Sequence, residues 1–315
     1  MTTQLSDSVL WFSEVACQSV EIAGGKGASL ASLTNADLPV PPGFIVPATA
    51  LEQALAESGH HQEVQKVLAD IRSDDDAQDA AEMLQSLVLD SPVTGTMAQE
   101  IGMAYAELDA GGGVAVRSSA CAEDGESASY AGQQETFLNV KGDEQVLRSV
   151  SACWASFFGT RALFYRRLKG SLSDLGMAVV VQHQLNADKA GVMFTIDPVR
   201  RRRDQMLIEA AYGLGEAVVS GAVIPDQYLV SRTGDVKKVR KARQQMMVVR
   251  RPDGGTEEVE LDDQQASRQV LDESDLQTLV KLGAKTEEIF GGPQDVEWAF
   301  EDGELYLLQS RPVTA

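Results

Sequence analysis

The residue pattern changes character along the chain, and that change limits the possible folds more than any single motif. Residues 50 to 109 are rich in helix formers with apolar positions at helical spacing. The stretch EQVLRSVSACWASFFGTRALFYRRL, 144 to 168, is amphipathic and free of proline, which predicts one long helix. From residue 178 the chain breaks into short β-rich runs, AVVVQHQL, GVMFTID, MLIEAAYG, QYLVS and MMVVR, separated by turn residues. LDESDLQTLVKLGAKTEEIFG returns to helix, with Ser274 as its expected cap, before a closing hairpin DVEWAF…LYLLQSRP. Segregated helices and strands predict an α+β protein of two lobes, residues 1–190 and 191–315.

Composition narrows the function. A chain of 315 residues with 43% hydrophobic content can bury one large core or two smaller ones. Its net charge of -20 repels nucleic acid and anionic membranes as a whole. The basic runs VRRRR, 199–203, and KKVRKAR, 237–243, lack interleaved aromatics for base stacking and are expected on solvated loops or strand edges. No apolar run is long enough to span a bilayer, and MTTQLSDSVLWFSEV lacks the form of a secretory signal, so a cytoplasmic location is expected. Cys17, Cys121 and Cys153 are too scattered for a disulfide framework or thiolate metal site and are read as reduced and mostly buried.

Two glycine-rich places suggest phosphate chemistry. AGGKGASL, 23–30, sets Lys26 between glycines at the start of a helix. It is not a Walker A loop, because Val20 stands where the first glycine belongs and Gly27 where Ser or Thr should follow the lysine. Arg117 ends the apolar run VAV and is followed by SSACAEDGESASYAGQQET, a long stretch of small and polar residues before FLNV. Gly125 and Gly132 would let backbone amides approach an anion, and a guanidinium offers a planar fork of donors matched to phosphate oxygens.

The closing hairpin offers oxygen ligands. Strand alternation puts Asp295 and Glu297 on one face and Val296, Trp298 and Phe300 on the other, in the core. Paired carboxylates suit Mg2+, a hard cation that commonly bridges phosphates. Gln309 and Arg311 share a face of the returning strand. A two-residue Asp302-Gly303 turn would oppose Glu297 with Leu308, whereas a three-residue turn would oppose Asp295 with Gln309 and gather acid, amide and guanidinium together; the latter is expected. GLGEAV, 213–218, carries Val218 where a dinucleotide fingerprint wants glycine or alanine, which argues against a Rossmann site. His60 and His61 read as surface residues and His183 as a core imidazole, so no histidine-based catalytic triad is indicated.

Taken together, AGGKGASL, LPVPPGFIV, VAVRSSACAEDGESASYAGQQETFLNV, VVVQ, GVMFTIDP, GLGEAVVSGAVIPDQYLV and DVEWAFEDGELYLLQSRP resemble the N-terminal ATP-binding domain shared by phosphoenolpyruvate synthase, pyruvate phosphate dikinase and rifampin phosphotransferase. The resemblance implies an ATP-grasp fold with ATP in the cleft between two lobes. It implies that Lys26 and Arg117 contact the ATP phosphates and that Gly132 and Thr136 belong to a glycine-rich loop closing over them. Gln182 would lie near the adenine, Glu297 and Gln309 would hold Mg2+ and phosphate oxygens with Asp295 close by, and Arg311 would stabilise phosphate charge.

Such proteins look like dikinases. ATP is cleaved to AMP, and the β-phosphate passes to a histidine on a swivelling domain that phosphorylates pyruvate or an antibiotic hydroxyl. None of His60, His61 or His183 has the sequence context of that histidine, so the phosphohistidine and acceptor-substrate domains are expected outside these 315 residues. A regulatory ATP-binding module and an ATP-grasp kinase forming ADP remain as alternatives.

Overall fold

The computed structural model describes residues 8–108, 112–121 and 135–313, and among these the chain divides into two compact units. The first comprises residues 1–31 and 42–183, the second residues 32–41 and 184–315.

The first unit is built on β1 (Leu10–Trp11), β2 (Gly43–Val46), β3 (Val114–Ala120), β4 (Thr136–Val140) and β5 (Met177–His183), in the sheet order β1-β2-β5-β3-β4 with antiparallel pairing throughout. Its helices are α1 (Val20–Asn35), α2 (Thr49–Glu57), α3 (His61–Asp70), α4 (Asp74–Leu89), α5 (Gly95–Leu108), α6 (Asp143–Ser156) and α7 (Thr160–Lys169). One sheet face is apolar. Val114, Val116, Val179, Val181, Phe44 and Val46 alternate inward and pack with Leu55, Leu84, Ile101 and Trp154 from the helices. The run VVVQ, grouped by its texture with the later strands, is thus in the middle of this first sheet.

The expected single helix over 144–168 is two helices, α6 and α7, parted at residues 157–159. Gly159 adopts an extended conformation as the cap of α7. Phe157 and Phe158 are both buried; consecutive residues of one straight helix are about 100° apart, so a break lets both rings enter the core. Arg166 is 1% exposed and donates to the carbonyls of Phe157, Leu172 and Asp174 while its guanidinium stacks 3.9 Å above the Phe157 ring. Strand β3 also runs on through Ser118 and Ser119 to Ala120, shortening the expected loop.

The second unit contains β6 (Lys189–Phe194), β7 (Gln205–Tyr212), β8 (Asp226–Ser231), β9 (Val236–Arg240), β10 (Met246–Arg250), β11 (Thr256–Glu260), β12 (Gln294–Glu301) and β13 (Glu304–Pro312), with α8 (Glu216–Val219), α9 (Asp263–Ala266) and α10 (Glu273–Phe290). Six strands form an antiparallel sheet in the order β13-β12-β6-β7-β8-β9, and β10 pairs with β11. Trp298, Val296, Phe300, Met193, Ile208 and Tyr228 bury one sheet face with Leu276, Leu279 and Val280 of α10. The cap of α10 is Asp272, which forms a reciprocal capping box with Asp275, rather than Ser274. Segment 32–41 contributes Leu33 and Leu38 to this core, and Pro39 O accepts the amide of Leu307 at 2.8 Å. The basic runs lie as expected, 199–203 in an exposed loop and 236–240 as the exposed edge strand β9.

The three cysteines are free. Burial pushes the Cys17 thiol up to about 12 and that of Cys121 up to about 11, and also raises that of the fully buried Cys153, so all three are poor nucleophiles. No described helix is long and apolar enough to cross a membrane.

A polar brace in the second unit has a pH signature. Burial of Glu287 opposes ionisation, but hydrogen bonds from Arg232 and Thr195 outweigh it and hold the carboxyl below the usual range. A depressed native pKa stabilises the fold above the unfolded-state pKa, and that stability is lost as pH falls through the native value. Glu287→Gln should therefore lower the midpoint of thermal unfolding by roughly 3–5 °C at neutral pH. The difference should close as the pH falls below the ordinary glutamate range.

Candidate functional site

Each sheet commits one face to its core and leaves the other for polar groups, and the residues selected from sequence lie on those second faces. In the first unit, Arg117 of β3 pairs with Thr136 of β4 and Val180 of β5, while Gln182 of β5 pairs with Ala115 of β3. Register places Arg117, Thr136 and Gln182 on the face opposite the apolar core. Gly132 lies outside the described residues.

Lys26 reaches the same region from α1. The helical path is interrupted at Gly24, with φ 68 and ψ 173, so α1 is two helical pieces joined at a kink. This backbone conformation is essentially restricted to glycine. A side chain at Gly24 would also collide with Ser119, its Cβ lying 2.1 Å from the Ser119 carbonyl oxygen. The chain comes this close because the Ser119 hydroxyl accepts the Gly27 amide at 3.0 Å and donates to Ala23 O at 2.8 Å. Lys26 is 6% exposed, and its Nζ donates to Ser118 O at 2.8 Å. Its ammonium thus meets the strand one residue beyond Arg117. Gly27 packs on Ile45, since a Cβ there would sit 2.8 Å from Ile45 Cδ1, which explains why no Ser or Thr follows the lysine.

In the second unit the hairpin register differs from expectation. Asp302 and Gly303, with φ 51 and 82, form a two-residue turn, so Glu301 pairs with Glu304. That turn suits the right-handed strand twist because both central residues accept positive φ. Continued regularly, it would oppose Glu297 with Leu308. A bulge between Glu297 and Trp298 shifts the register by one residue, so Glu297 opposes Gln309 and Asp295 opposes Arg311. The expected three-residue turn and the Asp295–Gln309 pair are therefore incorrect, while the gathering of acid, amide and guanidinium on one face holds.

Arg311 donates Nε and Nη2 to Asp295 Oδ2 at 2.9 and 2.8 Å. Burial pushes the Asp295 carboxyl above its ordinary value; Arg311 opposes this, and the negative Glu297 and Glu209 add to it. Glu209 was not selected from sequence. It lies in the register row Gln309–Glu297–Val192–Glu209–Gln227 and accepts a hydrogen bond from Gln227 at 2.7 Å. The available signal was the alternation in MLIEAAY, which puts Glu209 opposite Ile208. Ser119 was missed similarly, although it stands two residues after Arg117 on the same strand face.

The second unit's donor set is hard oxygen, as Mg2+ requires. No group of three or more His, Cys, Asp or Glu among the described residues is arranged to hold a metal by itself. Glu297, Gln309 and Asp295 offer side-chain oxygens, the donor type that Mg2+ takes.

The family described as pyruvate phosphate dikinase, AMP/ATP-binding domain, matches residues 20–315. A probable phosphoenolpyruvate synthase of Methanocaldococcus jannaschii is 42% identical over 315 residues, covering 97% of this chain and 26% of the relative. The phosphoenolpyruvate synthase of Pyrococcus furiosus is 39% identical, with 97% of this chain and 44% of the relative covered. A rifampicin phosphotransferase of Streptomyces sviceus is 40% identical over 97% of this chain and 36% of its own length. The chain belongs to the family of pyruvate phosphate dikinase AMP/ATP-binding domains. ATP, with Mg2+ as its usual companion, is the ligand of this domain. The chain spans less than half the length of these relatives.

Replacing Gly24 tests the kink. Gly24→Ala should cost about 3 kcal/mol or more through backbone strain and collision with Ser119, read as a large drop in the thermal midpoint.

Proposed function

We propose that this chain is the ATP-binding component of a dikinase-type phosphotransferase with an ATP-grasp arrangement, its two compact units serving as the two lobes. ATP would be cleaved between its α- and β-phosphates. AMP would leave, and the β-phosphate would pass to a histidine on a separate swivelling domain. That domain would deliver the phosphoryl group to a small acceptor, pyruvate or a rifampin-like antibiotic, in the cytoplasm. The curated relatives named phosphoenolpyruvate synthase and rifampicin phosphotransferase, each much longer than this chain, support a division of labour among domains.

The observation that carries the reading is the opposition of Glu297 to Gln309 beside the Asp295–Arg311 pair, on a face the core does not use. In this reading Glu297 and Gln309, with Asp295, hold Mg2+ and phosphate oxygens, and Arg311 balances phosphate charge. Mg2+ supplies neutralisation of the bound phosphates. Lys26 and Arg117 are the cationic donors to the phosphate chain, Gly132 and Thr136 belong to the segment covering it, and Gln182 faces the adenine. Phosphoryl transfer asks little covalent work of the protein, so these groups act by positioning the phosphates and offsetting developing charge.

Incubation with ATP, Mg2+ and a separately supplied histidine domain from a relative tests this reading. AMP should accumulate with the wild-type chain. Arg117→Ala and Glu297→Gln should each reduce its rate by roughly 10³-fold with unchanged circular dichroism. Accumulation of ADP would indicate an ordinary ATP-grasp kinase, and intact ATP binding without turnover a regulatory module.

A further inference from the structure

The Ser119 hydroxyl performs a task that its position in a strand does not require. At the Gly24 kink the first helical piece of α1 ends and the second begins, and each new end leaves backbone groups without intrahelical partners. Gly24 stands at the N-cap position of the second piece and has no side chain with which to cap it. Gly27, three residues on, is the position whose amide an N-cap side chain ordinarily satisfies. Here that amide donates to Ser119 Oγ at 3.0 Å, a residue 92 positions away in sequence, and the same hydroxyl donates to Ala23 O at 2.8 Å. One buried side chain from β3 therefore closes both helical ends at the kink.

This capping encloses Lys26 on both sides. Ala23 and Gly27 flank it, both are tied to Ser119, and the Lys26 ammonium is held by the carbonyl of the adjacent Ser118 at 2.8 Å. Gly24 removes the Cβ that would keep the two segments apart. On the same strand face, two residues before Ser119, stands Arg117. One hydroxyl thus ties the backbone on both sides of Lys26 to β3, the strand that carries Arg117. We infer that Ser119 is a positioning residue for Lys26, fixing the distance between its ammonium and the Arg117 guanidinium so that both engage the β- and γ-phosphates of ATP. The inference rests on the phosphate role proposed above for Lys26.

Ser119→Ala removes both bonds without adding volume. With the chain itself, calorimetric titration with ATP and Mg2+ should show about tenfold weaker binding for Ser119→Ala, the loss expected for one net hydrogen bond acting through a charged group. AMP, which lacks the β- and γ-phosphates, should bind within about twofold of wild type. Ser119→Cys keeps the packing with a poorer acceptor and should give an intermediate loss for ATP; affinity equal to wild type in that variant would overturn the inference.

A double-mutant cycle separates positioning from general stability. In a Lys26→Ala background the Ser119→Ala loss should vanish, and in an Arg117→Ala background it should shrink, because the spacing it sets then has one cation missing. A Ser119→Ala loss that is equal for ATP and AMP, or that adds fully to Lys26→Ala, shows a merely structural serine and sinks the proposal. If Lys26→Ala itself leaves ATP affinity unchanged, the phosphate role of Lys26 fails and the Ser119 inference falls with it. A strong Lys26→Ala effect beside a silent Ser119→Ala removes the serine's role alone.

Discussion

A β-sheet that buries apolar side chains on one face can offer only its other face to chemistry, and both units of this chain are arranged by that constraint. In the first unit the valines of β3 and β5 and the phenylalanine of β2 point into one core, so Ala115, Arg117 and Ser119 all point away from it. In the second, Val296, Trp298 and Phe300 point inward and Asp295 and Glu297 outward. A slip of one residue in either sheet would exchange these sets, exposing tryptophan and burying carboxylates. Core packing therefore holds the polar groups in register even where they contribute little stability of their own.

Electrostatics gives the two polar faces different characters within a strongly acidic chain. Lys26 is almost wholly buried, held against a backbone carbonyl rather than spread on the surface, and charge in such surroundings is screened less by water than charge on an exposed loop. The exposed arginines of 199–203 and the lysines of β9 have no such enclosure. On the second face, Asp295 is pulled in opposite directions by its burial and by Arg311, with two further carboxylates near enough to matter. A carboxylate so placed gains from a cation brought beside it, as Arg311 already is.

Much of this was legible in the residues. VAVRSS and DVEWAF each show the period-two alternation that assigns faces, and the glycines around Lys26 announce a close backbone approach. Less legible was the path of the chain. The stretch 144–168 has an unbroken helical pattern, yet two adjacent phenylalanines both require burial and divide it. Asp272 and Ser274 are each competent caps, and the box completed by Asp275 decides between them. Segment 32–41 reads as a helix end and a proline-rich connection, with nothing local to say that Leu33 and Leu38 join the core of the later half.

The amino-acid sequence by itself determined which side chains share a face, because alternation along a strand is a property of the backbone and needs no partner. It also determined the membership of the chain in its family, through motifs distributed from residue 20 onward. Only the tertiary structure decided which faces oppose which residues. The Glu297–Gln309 pairing depends on a two-residue turn and a bulge whose effects on register combine, and the capping of the Gly24 kink depends on a serine brought from a distant strand. Both are non-local: register is settled by the packing of whole strands, and a hydroxyl 92 residues away leaves no trace in the spacing around the helix it caps.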